Sequence, residues 1–241
     1  MSAPDTIDRF LGGRVIVRQP ARGFRAGLDA AMLAAAVPAQ AGEDALELGS
    51  GAGTASLCLA ARVAGAKVTG VEIDPELAAL ANANAEANGM AGRVWFVAAD
   101  ALALPAELRR PSDHAFCNPP FHGGEAPPDV ARARALKDEG RLAKWLAAGL
   151  KRTASGGTFT AILRADRVGE ALAALPERGV TICPLWPRAG EAAKRVILQA
   201  RQGSRAPLAI LPGLVLHEAD GRYTPEADAV LREGAALTYF S

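Results

Sequence analysis

Cysteine is scarce in this sequence, and its three copies, Cys58, Cys117 and Cys183, lie far apart. There is no Cys-x-x-Cys pair and no cluster of cysteine with histidine, which argues against a zinc site and against a disulfide framework. We therefore expect no metal site. Unpaired thiols fit a reducing compartment, so a cytoplasmic location is expected.

Long apolar runs and a large excess of one charge are also missing. No run approaches the ~20 apolar residues that span a bilayer, and acids at Asp5 and Asp8 are atypical of a secretory signal. The net charge is only +1, so any contact with nucleic acid must come from local patches. The first forty residues contain five arginines, which form either such a patch or an ordinary solvated face. These are Arg9, Arg14, Arg18, Arg22 and Arg25.

The sequence does contain a regular alternation of apolar strands and helices. Half of its residues are hydrophobic but only 5% are aromatic, which favours close packing of helices on a sheet. Strands are predicted at 45–48, 67–71, 94–97, 113–117, 158–163, 180–185 and 195–199, and helices at 28–37, 54–63, 75–88, 130–150 and 168–175. Strands separated by helices imply an α/β fold with a parallel sheet. We expect one core domain at 41–241 and a hairpin-helix element at 1–40 packed on it.

A glycine-rich turn, Gly49-Ser50-Gly51-Ala52-Gly53, follows the strand at 45–48. Glycine allows a tight turn and close approach of a ligand, although a plain strand-to-helix turn has the same composition. Thr54 occupies the third-glycine position of the dinucleotide fingerprint, and the absence of Gly-Lys-Ser/Thr excludes a P-loop. The acid within the strand, Glu47, suits a neighbouring ammonium or sulfonium group better than a pyrophosphate.

Acidic residues follow the next two predicted strands. Glu72 lies 23 residues after Gly49, where an acid accepts hydrogen bonds from ribose hydroxyls. Asp100 either accepts a hydrogen bond from an adenine amino group or caps a turn. Because the carboxyl ends of parallel strands share one edge of a sheet, we expect these residues to meet in one crevice.

The strand at 113–117 is followed by Asn118-Pro119-Pro120-Phe121. An amide, two prolines and an aromatic ring at a strand end form a stiff rim with one hydrogen-bonding group and one flat apolar face. Such a rim suits a planar ring that carries an amino group. Alone, however, Asn-Pro and Pro-Pro are also common in turns.

Together, the glycine turn, Glu72, Asp100 and the Asn118–Phe121 segment resemble the class I S-adenosylmethionine-dependent methyltransferases, over about residues 44–200. The resemblance implies a Rossmann-like fold with a mostly parallel seven-stranded sheet and helices on both faces. It also implies S-adenosylmethionine as cofactor and S-adenosylhomocysteine as product. In this family the turn contacts the methionine part, and the two acids contact ribose and adenine. The implied cofactor-binding residues are Glu47, Gly49, Ser50, Gly51, Gly53, Glu72, Ile73, Asp100, Ala101 and Asn118.

The Asn-Pro-Pro-Phe segment is similar to the motif of the branch that methylates planar exocyclic amino or amide nitrogens. The resemblance implies catalytic roles for Asn118, Pro119 and Phe121. The Asn118 side-chain oxygen and the Pro119 carbonyl would accept both N–H groups of the target amine, and Phe121 would stack on the base. Pro120, Phe121 and His122 are predicted to contact substrate, with His122 as a loop residue that shapes the base pocket.

The two ends of the chain suggest a narrower resemblance. Residues 23–29, 32–34 and 214–224 are similar to the bacterial tRNA(Val) adenine-N6 methyltransferase family, which implies RNA with an unpaired target base as the partner. Asn118-Pro119-Pro120-Phe121-His122-Gly123 also resembles the rRNA guanine-N2 methyltransferases. A protein glutamine N5 methyltransferase is a further alternative. A DNA adenine methyltransferase and a dinucleotide-dependent oxidoreductase are less favoured.

Overall fold

The computed structural model describes residues 5–21, 25–120 and 141–240. Predictions that concern Phe121, His122 and residues 130–140 lie outside the described residues, as do those for residues 22–24.

Within these ranges the chain alternates strands and helices as predicted. The strands are β1 (Thr6–Phe10), β2 (Val15–Gln19), β3 (Asp44–Leu48), β4 (Lys67–Glu72), β5 (Val94–Ala98), β6 (Ser112–Cys117), β7 (Thr153–Arg164), β8 (Val180–Trp186), β9 (Arg195–Arg201), β10 (Ala209–Ile210) and β11 (Leu214–Val215). The α-helices are α1 (Leu28–Ala36), α2 (Thr54–Arg62), α3 (Pro75–Ala87), α4 (Arg141–Lys151), α5 (Val168–Ala174) and α6 (Pro225–Asp228).

The main sheet has nine strands among the described residues, in the order β10-β8-β9-β7-β6-β3-β4-β5, with β11 also paired to β8. Every pair from β5 to β7 is parallel, whereas β9 runs antiparallel to both of its neighbours, β7 and β8. The seven predicted strands form the body of this sheet. The two additional strands, β10 and β11, have two residues each.

Helices cover both faces of the sheet. One buried apolar cluster unites α1, α2, the β1–β2 hairpin and the C-terminal segment. A second cluster, on the other face, unites α4 and α5 with the sheet. The spacing of the apolar residues of α4 explains its orientation, since Leu142, Trp145, Leu146 and Gly149 all lie on one side and are buried. The Rossmann-like α/β fold predicted from the sequence is thereby confirmed.

Helix α3 begins where the sequence predicts. The Asp74 side chain accepts hydrogen bonds from the backbone N–H groups of Glu76, at 2.8 Å, and Leu77, at 3.4 Å. Pro75 occupies the first turn, where its missing N–H costs nothing. This cap fixes the start of α3 directly after the end of β4.

Three asparagines, two within α3 and one directly after it, bind the free edges of neighbouring strands. A side-chain amide offers a donor and an acceptor, so it can pair with the N–H and C=O of one peptide as a strand would. Asn82 pairs in this way with Phe96 of β5, Asn84 with Arg18 and Asn88 with Ile16 of β2. These bonds fasten the β1–β2 hairpin to α3. No helix within the described ranges is long and apolar enough to cross a membrane.

Candidate active site

The predicted site residues follow the ends of adjacent parallel strands. In the register of the sheet, Leu48 of β3 is opposite both Val71 of β4 and Cys117 of β6. Glu72 of β4 is opposite Ala98 of β5. The glycine turn, Glu72, Asp100 and Asn118 therefore lie along one edge of the sheet, and the turn at Gly49–Gly53 has β4 on one side and β6 on the other.

The glycine turn needs glycine for two different reasons. Gly49, Gly51 and Gly53 have φ values of 73°, 54° and 87°, in the left-handed region that disfavours other residues. A Cβ at Gly49 would lie 2.8 Å from Cη2 of Trp145, and one at Gly53 would lie 2.5 Å from Cζ of Phe96. A Cβ at Gly51 would have no atom of the described residues within 4 Å. Gly51 is thus the glycine of the turn at which a ligand can approach the backbone.

Glu72 joins this turn to the start of α3. Its Oε2 accepts a hydrogen bond from Gly51 N at 2.8 Å, and its Oε1 accepts one from Asp74 N at 3.0 Å. The residue is only 9% exposed. A carboxylate has about four acceptor sites, so Glu72 keeps acceptor capacity for a ligand hydroxyl while it holds the turn.

Glu47 differs from the expectation of a negative charge at the crevice. Its carboxyl group is 3% exposed and accepts hydrogen bonds from the backbone N–H and the hydroxyl of Ser56 in α2, at 3.0 and 2.5 Å. Burial raises the pKa of Glu47 to about 8, and the charge of Glu72 adds to the rise, against the opposing effect of the Ser56 bonds. The neutral form is therefore favoured near neutral pH, and the group fastens α2 to β3.

The residues after β4 and β5 differ in their surroundings. Asp100 is exposed, and its Oδ1 accepts a hydrogen bond from Leu102 N at 2.8 Å. This is the turn-capping alternative that the sequence left open, and the bond engages one of the two carboxylate oxygens. Ala101 is buried, whereas Ile73 is 70% exposed at the same edge of the sheet. The exposed Ile73 side chain presents an apolar surface next to Glu72.

Asn118 brings a buried acceptor to this edge of the sheet. Its Oδ1 is buried and has no hydrogen-bond partner within the described part of the chain. Leaving a buried acceptor unsatisfied costs about 1–3 kcal/mol, so this oxygen is suited to accept a hydrogen bond from a bound ligand. Pro119 beside it is buried and Pro120 is exposed.

Sequence reasoning missed two residues at this edge. Ser56 binds Glu47, and the ring of Trp145 lies against Gly49. The Nε1 of Trp145, like the hydroxyls of Ser50 and Thr54, is buried and has no partner among the described residues. The helical spacing of Trp145 predicts only a core position, because nothing local to α4 indicates the distant glycine turn.

The basic residues proposed for phosphate contact divide into paired and unpaired groups. Arg25 forms a salt bridge with Asp8 at 2.7 Å. Arg14 donates to the backbone carbonyls of Leu11 and Glu233. Arg9 and Arg18 are exposed and make no ion pair within the described ranges. Only part of the predicted basic surface is therefore available to a partner.

The edge fits S-adenosylmethionine in its chemistry. It offers an open glycine backbone, a carboxylate with spare acceptor sites, an exposed aliphatic surface at Ile73 and an unsatisfied amide oxygen at Asn118. Over the described residues, no group of three or more His, Cys, Asp or Glu could hold a metal ion. The fold and this edge together define a class I S-adenosylmethionine-dependent methyltransferase.

Comparisons with known proteins lead to the same class. A family model described as "Methyltransferase small domain" matches residues 25–144. The tRNA1(Val) (adenine(37)-N6)-methyltransferase of Aeromonas hydrophila is 30% identical over 207 residues, which is 83% of this chain and 86% of that protein. The chain therefore belongs to the methyltransferase small domain family, with a tRNA1(Val) adenine-N6 methyltransferase as a relative over most of its length. It is an S-adenosylmethionine-dependent N-methyltransferase.

Two further similarities concern other members of this class. The release factor glutamine methyltransferase of Chlorobaculum tepidum is 36% identical, but only over 78 residues, or 26% of that protein. Among solved structures, a protein of Agrobacterium tumefaciens described as a predicted O-methyltransferase superposes with a TM-score of 0.74. It is 29% identical, and the alignment covers 87% of this chain and 98% of that one.

Proposed function

We propose that this enzyme methylates the exocyclic N6 nitrogen of an adenine in transfer RNA. The observation that carries the proposal is the buried Oδ1 of Asn118, which has no partner among the described residues and directly follows β6, the strand next to the glycine turn. An acceptor that lacks a donor suits an N–H group of the substrate. The similarity of the Aeromonas hydrophila tRNA methyltransferase over most of both chains supports RNA as the class of substrate.

The target amine requires help because its lone pair is shared with the purine ring. We propose that Asn118 Oδ1 and the backbone carbonyl of Pro119 accept its two N–H groups, which favours the pyramidal nitrogen. Its lone pair is then directed toward the reacting carbon. S-adenosylmethionine would supply the methyl group on a sulfonium that leaves as the neutral thioether of S-adenosylhomocysteine, and the nitrogen, acidic once methylated, then releases its proton to water. The residues at this edge therefore act mainly by positioning, and a strong general base is not required.

RNA recognition must make the target base accessible. A base that is stacked in a helix cannot reach the crevice, so it has to be splayed out or already unpaired. Phe121, which lies outside the described residues, remains the predicted stacking partner of the base, worth about 1–3 kcal/mol by analogy with single-strand binders. Pro120 and His122 keep their predicted roles as substrate contacts, and a cytoplasmic location stays a prediction.

Methylation of total tRNA and rRNA with labelled cofactor tests this proposal. Nucleoside mass spectrometry of the labelled RNA should detect N6-methyladenosine in tRNA. Detection of N2-methylguanosine in rRNA would instead identify guanine as the target base. Labelling of a release-factor glutamine without any labelled RNA would overturn the proposal, and the short similarity to a glutamine methyltransferase makes that control necessary.

The cofactor itself is tested separately. S-adenosylhomocysteine should raise the thermal stability of the protein, because a ligand that binds only the folded state stabilises it. NAD should have no effect. Stabilisation by NAD alone would instead indicate a dinucleotide-dependent oxidoreductase.

A further inference from the structure

The β1–β2 hairpin has one face that contacts the rest of the protein and one that is exposed. Its outer face consists of Ile7, Arg9, Ile16 and Arg18, all of which are exposed. The register pairs Ile7 with Arg18 and Arg9 with Ile16, so each isoleucine lies opposite an arginine. Ile7 is 66% exposed and Ile16 is 40% exposed. The outer face thus combines two exposed isoleucines with two arginines that make no ion pair within the described ranges.

The charge of this outer face is not neutralised from the inner face. Asp8 alternates to the inner face, where it binds Arg25 at 2.7 Å and Gln19 at 2.9 Å. Within the two strands, therefore, the outer face holds two positive charges and no acid. Asp5, just before β1, is the nearest acid in sequence on the same side of the strand alternation.

The hairpin is attached to the active site by α3. Asn84 accepts from Arg18 N at 2.9 Å and donates to Arg18 O at 2.9 Å and to Ala52 O, in the glycine turn, at 3.0 Å. Asn84 is 4% exposed. One buried side chain therefore links β2 of the hairpin directly to the glycine turn.

The orientation of the hairpin follows from the direction of α3. The helix starts at Pro75, next to Glu72 at the functional edge, and runs away from it. Asn84 is thus nearer that edge than Asn88, and the Arg18–Ile7 end of the hairpin is nearer than the Ile16–Arg9 end. At 1.5 Å per residue, Asn84 lies about 14 Å along the axis from the start of α3. Because Asn84 also contacts Ala52 O, the Arg18–Ile7 end is the end of the hairpin that is joined to the glycine turn.

We propose that this outer face binds the single-stranded RNA segment next to the target base, an inference that rests on the proposed RNA substrate. Arg18 and Arg9 contact successive phosphates, and Ile7 and Ile16 contact an exposed sugar or base between them. The alternation of guanidinium and aliphatic groups matches an unpaired strand, which exposes charged phosphates and apolar base faces together. The other N-terminal arginines of the described chain, Arg14 and Arg25, hold the hairpin in shape instead.

The test compares RNA binding at different salt concentrations, measured by fluorescence anisotropy with an unmodified tRNA(Val) transcript. Each phosphate contact in single-stranded RNA contributes about 0.7 to the slope of log K against log[salt], so the Arg9→Ala/Arg18→Ala double variant should have a slope smaller by about 1.4. Between about 50 and about 200 mM salt, its affinity should therefore fall about sevenfold less than that of the wild type. Its affinity for S-adenosylhomocysteine should not change.

Three further variants complete the test, one as a control and two with opposite expected effects. Lys67→Ala removes one exposed positive charge at the start of β4, on the opposite edge of the sheet, and should leave the RNA slope unchanged. Asp5→Asn removes the neighbouring negative charge and should tighten RNA binding. Ile7→Ser/Ile16→Ser should weaken binding without a change in slope, because no charge is lost.

The outcomes separate this inference from the proposed function. If N6-methyladenosine forms in tRNA but the double arginine variant has the wild-type slope and KM for tRNA, the outer face does not bind RNA and the inference is overturned. If no RNA is methylated or bound, the proposed function fails first. Binding of the wild type, but not the double variant, to anionic lipid vesicles in place of tRNA would assign the face to a membrane surface and would also overturn the inference.

Discussion

Gly51 N and Glu72 Oε2 are joined by a hydrogen bond of 2.8 Å, across the 21 residues that separate them in sequence. The same carboxylate accepts from Asp74 N through its other oxygen. Glu72, the acid predicted to bind ribose, thus also fixes the middle of the glycine turn and Asp74, the residue directly before α3. Cofactor affinity and turn geometry should therefore depend on the same side chain.

Replacing Glu72 by glutamine should weaken binding of S-adenosylhomocysteine by about 10- to 150-fold, since hydrogen bonds to charged groups contribute about 1.5–3 kcal/mol. A glutamine side chain has only one acceptor oxygen, so the backbone N–H of either Gly51 or Asp74 would face the NH2 group, which is itself a donor. Isothermal titration calorimetry measures the change. Glu76→Gln, an identical change at an exposed position of α3, is the matched control. Equal affinities of Glu72→Gln and the wild type would contradict the role of Glu72 in the site.

Alanine substitutions at Gly49 and Gly51 should have different effects. Both positions have positive φ, so each variant should lose about 1–2 kcal/mol from backbone strain. Gly49→Ala should lose more stability, because its Cβ would also clash with Trp145, whereas Gly51→Ala meets open space and should mainly reduce cofactor affinity. Urea denaturation and titration with S-adenosylhomocysteine measure the two effects.

A second substitution checks the cause of the Gly49 effect. Trp145→Leu in the Gly49→Ala background should recover part of the lost stability by removing the ring that the new methyl group meets. If the double variant is destabilised by the full sum of the single changes, contact with Trp145 is not the reason.

The buried carboxyl of Glu47 should make stability depend on pH. Its pKa is raised to about 8 in the folded protein, so the folded state holds a proton that the unfolded state has already released. The free energy of unfolding should fall as pH rises from about 4.5 to about 8, and one pKa unit corresponds to about 1.4 kcal/mol. Glu47→Gln, which keeps an acceptor for Ser56, should remove this slope. Urea denaturation of the wild type and Glu47→Gln across that pH range measures the slope. Parallel curves of unfolding free energy against pH would rule out Glu47 as its source.

Local sequence signals predict much of the fold, and they predict that the site residues lie along one edge of the sheet. The Asp74-Pro75 cap, the apolar strands and the glycine turn depend on neighbouring residues, and each lies where the pattern indicates. The convergence of the glycine turn, Glu72, Asp100 and Asn118 follows because successive βαβ units bring strand ends to one edge. The roles of these residues remain predictions that the variants above are designed to test.

The remaining features depend on contacts between distant residues. β7 begins at Thr153 rather than at 158, because its first residues pair with the start of β6 at Ser112. The short strands β10 and β11 form only because β8 offers them an edge. Likewise, the pKa of Glu47 is raised by burial under α2, and a sequence pattern does not reveal how deeply an acid within a strand is covered.

Asn84 should stabilise both the hairpin and the glycine turn. Asn84→Ala leaves the Arg18 peptide and Ala52 O without their partner, and each unsatisfied buried group costs about 1–3 kcal/mol. We expect a marked loss of stability in urea denaturation, faster hydrogen exchange at Arg18 N and weaker binding of S-adenosylhomocysteine. Asn88→Ala removes the equivalent bonds at Ile16 but not the link to Ala52, so its cofactor affinity should stay close to wild type. Equal cofactor affinities of the two variants would show that Asn84 does not act on the turn.

Asn118→Ala should separate methyl transfer from binding of the cofactor. Loss of one positioned hydrogen-bonding group in an active site typically reduces kcat by about 10²–10³, and we expect a loss of this size with tRNA as substrate. The fold should survive, because Oδ1 has no partner among the described residues whose bond would be broken. Asn118→Asp, which keeps an acceptor oxygen, should retain more activity than Asn118→Ala. Single-turnover methylation, with S-adenosylhomocysteine affinity measured in parallel, distinguishes the cases: full methyl transfer by Asn118→Ala with normal cofactor binding would eliminate Asn118 as the acceptor for the target amine.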